Sequence, residues 1–123
     1  MTHILIIDDN DDFRGLLQTA LEGDGYQVET APNGQNAAAL LQARPADVVV
    51  TDIFMPGKEG IETISELKRQ FPRMHIVAMS GRPSATDFDP LSIAQHLGAA
   101  RTLKKPFPIE DLLSTVRTLT GKP

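Results

Sequence analysis

Apolar residues in this chain alternate between two kinds of run. Ile4, Leu5, Ile6 and Ile7 are consecutive, as are Val48, Val49 and Val50 ahead of Thr51. Unbroken apolar runs of this length, mostly β-branched, predict strands buried on both faces. Between them the apolar positions recur at helical spacing. Phe13, Leu16, Leu17, Ala20 and Leu21 predict one helix face, capped by Asp11 or Asp12 and ended by Gly23 and Gly25. Residues 26–30 alternate and predict a second strand, followed by a turn at Pro32, Asn33 and Gly34. Residues 35–44, rich in alanine and leucine, predict a helix that Pro45 closes. The Val48 run belongs to a third strand, 47–51. Ile61, Ile64, Leu67 and Phe71 mark a helix stopped by Pro72, and 75–79 a fourth strand. A long polar loop, 80–90, leads to a short helix at 91–97 ending at Gly98, then a fifth strand at 99–103. The last helix, 108–120, carries Ile109, Leu112, Leu113, Val116 and Leu119.

Strand and helix thus alternate five times, which predicts a parallel sheet with helices on both faces. The 123 residues suit one domain, with no internal repeat and no second domain, so 1–123 is read as a single unit without an output domain. Net charge is −4, which argues against a broad nucleic-acid-binding surface. The chain has no cysteine, so thiolate metal sites and disulfides are excluded, in keeping with a reducing, cytoplasmic setting. No apolar run approaches the ~20 residues that span a bilayer. Met1 leads almost directly into a strand and reads as a native start without a signal peptide. The end at Pro123 is a natural terminus or the cut edge of a linker.

Chemistry concentrates where strands end. Asp52 follows the valine run, and Asp8 and Asp9 follow the isoleucine run. Carboxylates are costly to bury, and in open α/β sheets the carboxyl edge is where ligands bind. Three carboxylates on one edge would repel unless a cation joins them, which points to a Mg²⁺ site and phosphoryl chemistry. The loops after the fourth and fifth strands add Ser80-Gly81 and Lys105-Pro106. Taken alone, Asp8-Asp9 could cap the first helix and Ser80-Gly81 is an ordinary loop pair. Together with Asp52 and Lys105 they favour the metal site. His3, His75 and His96 are scattered and make no ligand set, and Lys68, Arg69 and Arg73 read as a solvated helix end.

Four segments in this order, ILIIDDN (4–10), DVVVTDIFMPGKEG (47–60), VAMSG (77–81) and LKKPF (103–107), resemble the response-regulator receiver domain, the phospho-accepting module of two-component signalling. The resemblance covers essentially the whole chain. It implies a flavodoxin-like fold, with five parallel strands in the order 2-1-3-4-5. Asp52 then matches the phosphorylated aspartate, Asp8 and Asp9 the acidic pair that holds Mg²⁺, and the backbone carbonyl of Phe54 the third protein ligand. Ser80 matches the hydroxyl that bonds the phosphoryl group, and Lys105 the lysine that pairs with it, ahead of a cis bond to Pro106. The implied function is reversible, Mg²⁺-dependent phosphorylation of Asp52 by a histidine kinase or phosphotransfer protein. That modification alters a protein-binding face around residues 91–97, the fifth strand and the last helix. Such a module acts on a downstream protein target without being a turnover enzyme.

The chain departs from that pattern in places. Thr102 stands where receivers often carry an aromatic residue that swings inward, so the aromatic readout is not expected. The 80–90 loop is longer than usual. Phe54, two residues beyond Asp52, would flank the path of attacking water, and its bulk is expected to slow phosphoryl loss. Two rivals remain. One is a degenerate receiver that only binds partners, against which the intact Asp8, Asp9, Asp52, Ser80 and Lys105 speak. The other is a haloacid-dehalogenase-type phosphatase, whose D-x-D after the first strand is mimicked only by Asp9-Asn10-Asp11.

Overall fold

The computed structural model describes residues 2–53, 60–81 and 98–121. Strand β3 (Val48–Asp52) lies at the centre, between β1 (His3–Ile7) and β4 (His75–Ser80), with β2 (Gln27–Ala31) and β5 (Arg101–Lys104) at the two edges. Every pairing is parallel and the order is β2-β1-β3-β4-β5. This is the flavodoxin-like topology that the sequence implied. Its strand order reverses between β1 and β3, the place where such sheets open a crevice at their carboxyl edge.

Alternation along each strand builds two cores. Leu5, Ile7, Val49, Ile76 and Ala78 pack on one face with Leu41 of α2 (Ala37–Ala43) and Ile64 and Leu67 of α3 (Gly60–Gln70). Ile4, Ile6, Val48, Val50, Val77 and Met79 pack on the other with Leu17 and Leu21 of α1 (Asp11–Gly23) and Leu112 and Val116 of the C-terminal helix (Ile109–Thr120). Continuing the count of two, Asp8 and Asp52 share the parity of the α1 face. Gly34 lets the turn before α2 approach α3 closely. A Cβ there would run into Thr63 Oγ1, and Thr63 is itself buried.

Several local expectations are corrected. Asn10, not Asp11 or Asp12, caps α1, its side chain accepting the Phe13 N–H at 2.9 Å. Asp11 and Asp12 fall inside the first turn, where acidic residues favour the positive helix end. Leu16 is 53% exposed and lies off the buried face. Tyr26 is buried but precedes β2, and Ala31 ends that strand. The second helix is shorter than read from sequence, because Asn33 takes the Gln35 N–H in a turn. Strands β3 and β4 each run one residue further, so that Asp52 and Ser80 are their last residues. Strand β5 starts only at Arg101, and Pro108 stands outside the last helix as its cap. Lys68 is not simply solvated. Its Nζ donates to Met74 O at 3.2 Å, and its stem lies where a Cβ on Gly98 would intrude. The short helix expected at 91–97 and most of the 80–90 loop lie outside the described residues. Among the described residues no helix is long and apolar enough to cross a membrane.

Candidate functional site

Strand length and parity deliver three acidic residues to one point. Asp52 ends β3 in register with Met79 of β4, and Asp8 directly follows β1, its N–H donating to Ala31 O at 3.2 Å. Asp8 is fully buried and Asp52 is 6% exposed, while Asp9 is open to solvent. One carboxylate oxygen from each of Asp8, Asp9 and Asp52 lies within 4.8 Å of the others, the group of acidic ligands among the described residues that could hold a metal ion. All-oxygen donors with room for water suit a hard cation such as Mg²⁺, which needs few protein carboxylates.

A cation of the chain already bridges part of this group. Lys105 follows β5 and is tied to β4 by its own N–H, which donates to Ser80 O at 2.8 Å. Its Nζ donates to Asp8 Oδ2 at 2.8 Å and to Asp52 Oδ2 at 2.9 Å. Burial, the strongest single influence, pulls the ammonium pKa down. The hydrogen bonds to Asp8 and Asp52, backed by both carboxylate charges, outweigh it and hold the pKa above the ordinary lysine value. The lysine is therefore charged throughout the neutral range.

The remaining parts are a hydroxyl and a set of supports. Ser80 is 2% exposed, and its Oγ is buried without a hydrogen-bond partner among the described residues. Such a group carries a desolvation cost until an acceptor arrives, so it suits a ligand oxygen. Asp8 is held on three sides. Its Oδ1 accepts the Asn10 N–H at 2.9 Å, its Oδ2 accepts Lys105, and its backbone carbonyl accepts Arg14 Nη1 at 2.6 Å. The Lys105 ammonium also lies 4.4 Å from the Phe13 ring centroid.

Asp8, Asp9, Asp52 and Lys105 are thus brought together as a cluster, and Ser80 ends the strand beside Asp52. Phe54 lies outside the described residues. The Lys105–Pro106 bond is cis. Thr102 pairs with Ala78 in the sheet, two positions from Lys104, and brings no ring to the site. Three supports escaped the sequence reading. Phe13 reads from the sequence only as a core position, and nothing in the sequence singles out Arg14. Asn10 had a usable signal, since asparagine is a preferred helix cap.

Comparison with known proteins gives a consistent picture. The profile of the response regulator receiver domain matches residues 4–117. The response regulator SaeR of Staphylococcus aureus (strain USA300) is 34% identical over 119 residues, which are 97% of this chain and 50% of that protein. The chain therefore spans about half the length of the curated relatives it matches. The chemotaxis protein CheY4 of Vibrio cholerae superposes with a TM-score of 0.86 at 30% identity, covering 97% of this chain and 98% of its own. A response regulator receiver domain protein of Clostridium thermocellum gives 0.87 at 28% identity, covering 99% and 96%.

Proposed function

The chain belongs to the response regulator receiver family, and from that premise we propose that Asp52 is a phosphoryl acceptor, assisted by Asp8, Asp9, Ser80 and Lys105. The observation that carries this reading is the conjunction of a buried acidic cluster bridged by Lys105 with the unpartnered hydroxyl of Ser80. An ion pair needed only for folding gives no reason for a buried, unpartnered hydroxyl at the end of the strand beside Asp52.

In the proposed step an Asp52 carboxylate oxygen attacks the phosphorus of a phosphodonor in line. The new bond is Oδ–P. The bond that breaks joins phosphorus to the donor, whose leaving group departs with the electron pair: a histidine imidazole, which then takes up a proton, or acetate from acetyl phosphate. Lys105 stays beside Asp52 and offsets charge on a phosphoryl oxygen, and Ser80 Oγ donates to another. Asp8, Asp9 and Asp52, with the backbone carbonyl of Phe54 that the resemblance adds, would hold Mg²⁺. When bound, the cation neutralises the carboxylates and the phosphoryl oxygens. Reversal is hydrolysis: water attacks phosphorus, the Oδ–P bond breaks and inorganic phosphate leaves. Phe54 is placed by sequence to hinder that water.

The partners proposed are a histidine kinase or phosphotransfer protein upstream and a protein target downstream, without direct contact to nucleic acid and in the cytoplasm. The 123 residues act as one module that changes its protein-binding face on phosphorylation rather than turning over a substrate. Ser80 gains its contact only in the phosphorylated state, and a differential contact of that kind shifts a two-state equilibrium.

Incubation with Mg²⁺ and acetyl phosphate should add one phosphoryl group by intact mass. Asp52→Asn should abolish the addition, and chelation should slow it at least tenfold. A parent that gains no mass, or an Asp52→Asn variant that gains as much, overturns the reading.

A further inference from the structure

Lys105 carries a flexible, strongly hydrated ammonium, yet the site needs it at one point between two carboxylates. Its stem is bounded on one side by Gly81, where an added Cβ would touch Lys105 Cβ and Cδ at 3.5 Å. Its head is bounded by a ring. The Phe13 centroid is 4.4 Å from Nζ, within the range of a cation–π contact. Phe13 is itself fixed twice. Its N–H donates to the Asn10 cap, and its ring meets Phe107 edge-on, with centroids 5.9 Å apart and planes at 78°. These contacts close a loop. Asp8 Oδ1 accepts from Asn10 N, Asn10 Oδ1 accepts from Phe13 N, the Phe13 ring covers Lys105 Nζ, and Lys105 Nζ returns to Asp8 Oδ2.

We infer that Phe13 is a positioning residue for Lys105: its ring face holds the ammonium between Asp8 and Asp52 and thereby sets how readily Asp52 accepts a phosphoryl group. The inference rests on the reading of Asp52 given above. Phe13 touches no reacting atom and acts only through the lysine. A ring suits this task better than an aliphatic side chain of similar size. Both keep water away, but only the ring's negative face attracts the cation. Phe107, two residues after Lys105, keeps that face turned toward the site.

Two substitutions separate this role from plain packing. Phe13→Leu keeps an apolar side chain against Leu17 and its neighbours and removes the π face. Phe13→Tyr keeps the face. With Mg²⁺ and acetyl phosphate, Phe13→Leu should accept phosphoryl about five-fold more slowly, the change expected from a cation–π contact of about 1 kcal/mol, and Phe13→Tyr should match the parent. A second readout needs neither metal nor phosphate. In the NMR spectrum of the unphosphorylated protein, the Lys105 ε-methylene signals should be shifted upfield by the ring in the parent and in Phe13→Tyr, and should return to the ordinary lysine position in Phe13→Leu. Equal slowing in both variants, or no upfield shift in the parent, overturns the inference. A parent that accepts no phosphoryl group overturns instead the reading of Asp52, and the NMR shift still reports on the Phe13 contact.

Discussion

Among the described residues, Lys105 and Arg117 each stand between two carboxylates. At the sheet edge Lys105 joins Asp8 and Asp52. On the flank, Arg117 of the C-terminal helix joins Asp24, just past α1, and Glu110, two turns earlier on the same helix face. The bridged groups carry the same formal charge in both, and the surroundings are opposite. In the flank cluster Arg117 Nε and Nη2 grip the two oxygens of Asp24 at 2.8 and 2.9 Å, a fork geometry that lysine cannot offer, and Glu110 is 70% exposed. In the edge cluster the Asp8 side chain is fully buried, and the cation is a point charge on a flexible stem. The flank cluster fastens two helices with charges that water also serves. The edge cluster buries the carboxylates of Asp8 and Asp52, and with Asp9 beside them a single lysine leaves it two negative charges in excess. Such a site is open to a second cation. Placement, rather than the inventory of charges, separates a fastening from a reactive site.

The largest break in that comparison should come from removing each cation. In chelator, Lys105→Met leaves Asp8 and Asp52 buried without their counter-ion and should lower folding stability by about 2–4 kcal/mol in urea denaturation. Added Mg²⁺ should recover at least half of that loss, because the acidic cluster then has another cation. Arg117→Met should gain from Mg²⁺ only what the parent gains, so its gap to the parent should stay unchanged. Equal recovery in both variants would erase the distinction between the clusters.

That distinction was only partly legible in the sequence. Consecutive apolar runs, mostly β-branched, and proline or glycine stops disclosed the strands, because a strand buried on both faces leaves an unbroken apolar signature. The same runs located Asp8 and Asp52, since a carboxylate after four apolar residues must lie at the sheet's edge. The order of the motifs put Lys105 at one site with Asp8, Asp9 and Asp52, but that its ammonium bonds Asp8 and Asp52 directly was not legible. Lys105 is separated from Asp8 by 97 positions and from Asp52 by 53, and only strand register brings them within hydrogen-bonding reach. Helix faces were misjudged where spacing alone decided. Leu16 fits the apolar repeat yet points outward, because Phe13, Leu17 and Leu21 already fill the face toward the sheet. Phe13 looked like core for the same reason, and its contact with Lys105 needs the turn of α1 to be placed against the residues after β5. The Arg117 pairing with Asp24 spans 93 positions and was equally hidden.

Asp8→Asn sharpens the comparison at a smaller scale. It removes one of two buried negative charges but keeps a single oxygen, so either the Asn10 N–H or the Lys105 ammonium meets an amide NH2 in place of an acceptor, and stability in chelator should fall by about 1–2 kcal/mol. Stabilisation by Mg²⁺ should weaken at least tenfold in the concentration needed, measured from the shift of the thermal midpoint during titration. A variant that loses several kcal/mol in chelator and keeps its Mg²⁺ response would show Asp8 to be a structural anchor.

On the flank, Arg117→Met should lower the thermal midpoint slightly. Salt should narrow the gap from the parent, since pairs that face water are screened. Its rate of phosphorylation by acetyl phosphate should match the parent's.

The smallest effect separates the two cations by pH. The carboxylates raise the pKa of Lys105 above the ordinary lysine value of 10.5 despite the opposing pull of burial. A group whose pKa is raised on folding contributes stability that is complete below its unfolded pKa and is lost as pH rises through the folded one. The stability difference between the parent and Lys105→Met should therefore be flat from neutrality to about pH 9, and should shrink only in alkali beyond the ordinary lysine range. Asp24 and Glu110 raise the pKa of Arg117 against a modest effect of burial, and arginine starts far above lysine, so the gap between the parent and Arg117→Met should not move over the same alkaline range. Urea denaturation of the three proteins at a series of pH values reads both differences. A Lys105 gap that already closes near neutrality would mean that the ammonium is not held by the two carboxylates. The edge cluster would then lose the cation that distinguishes it from an unpaired acidic pocket.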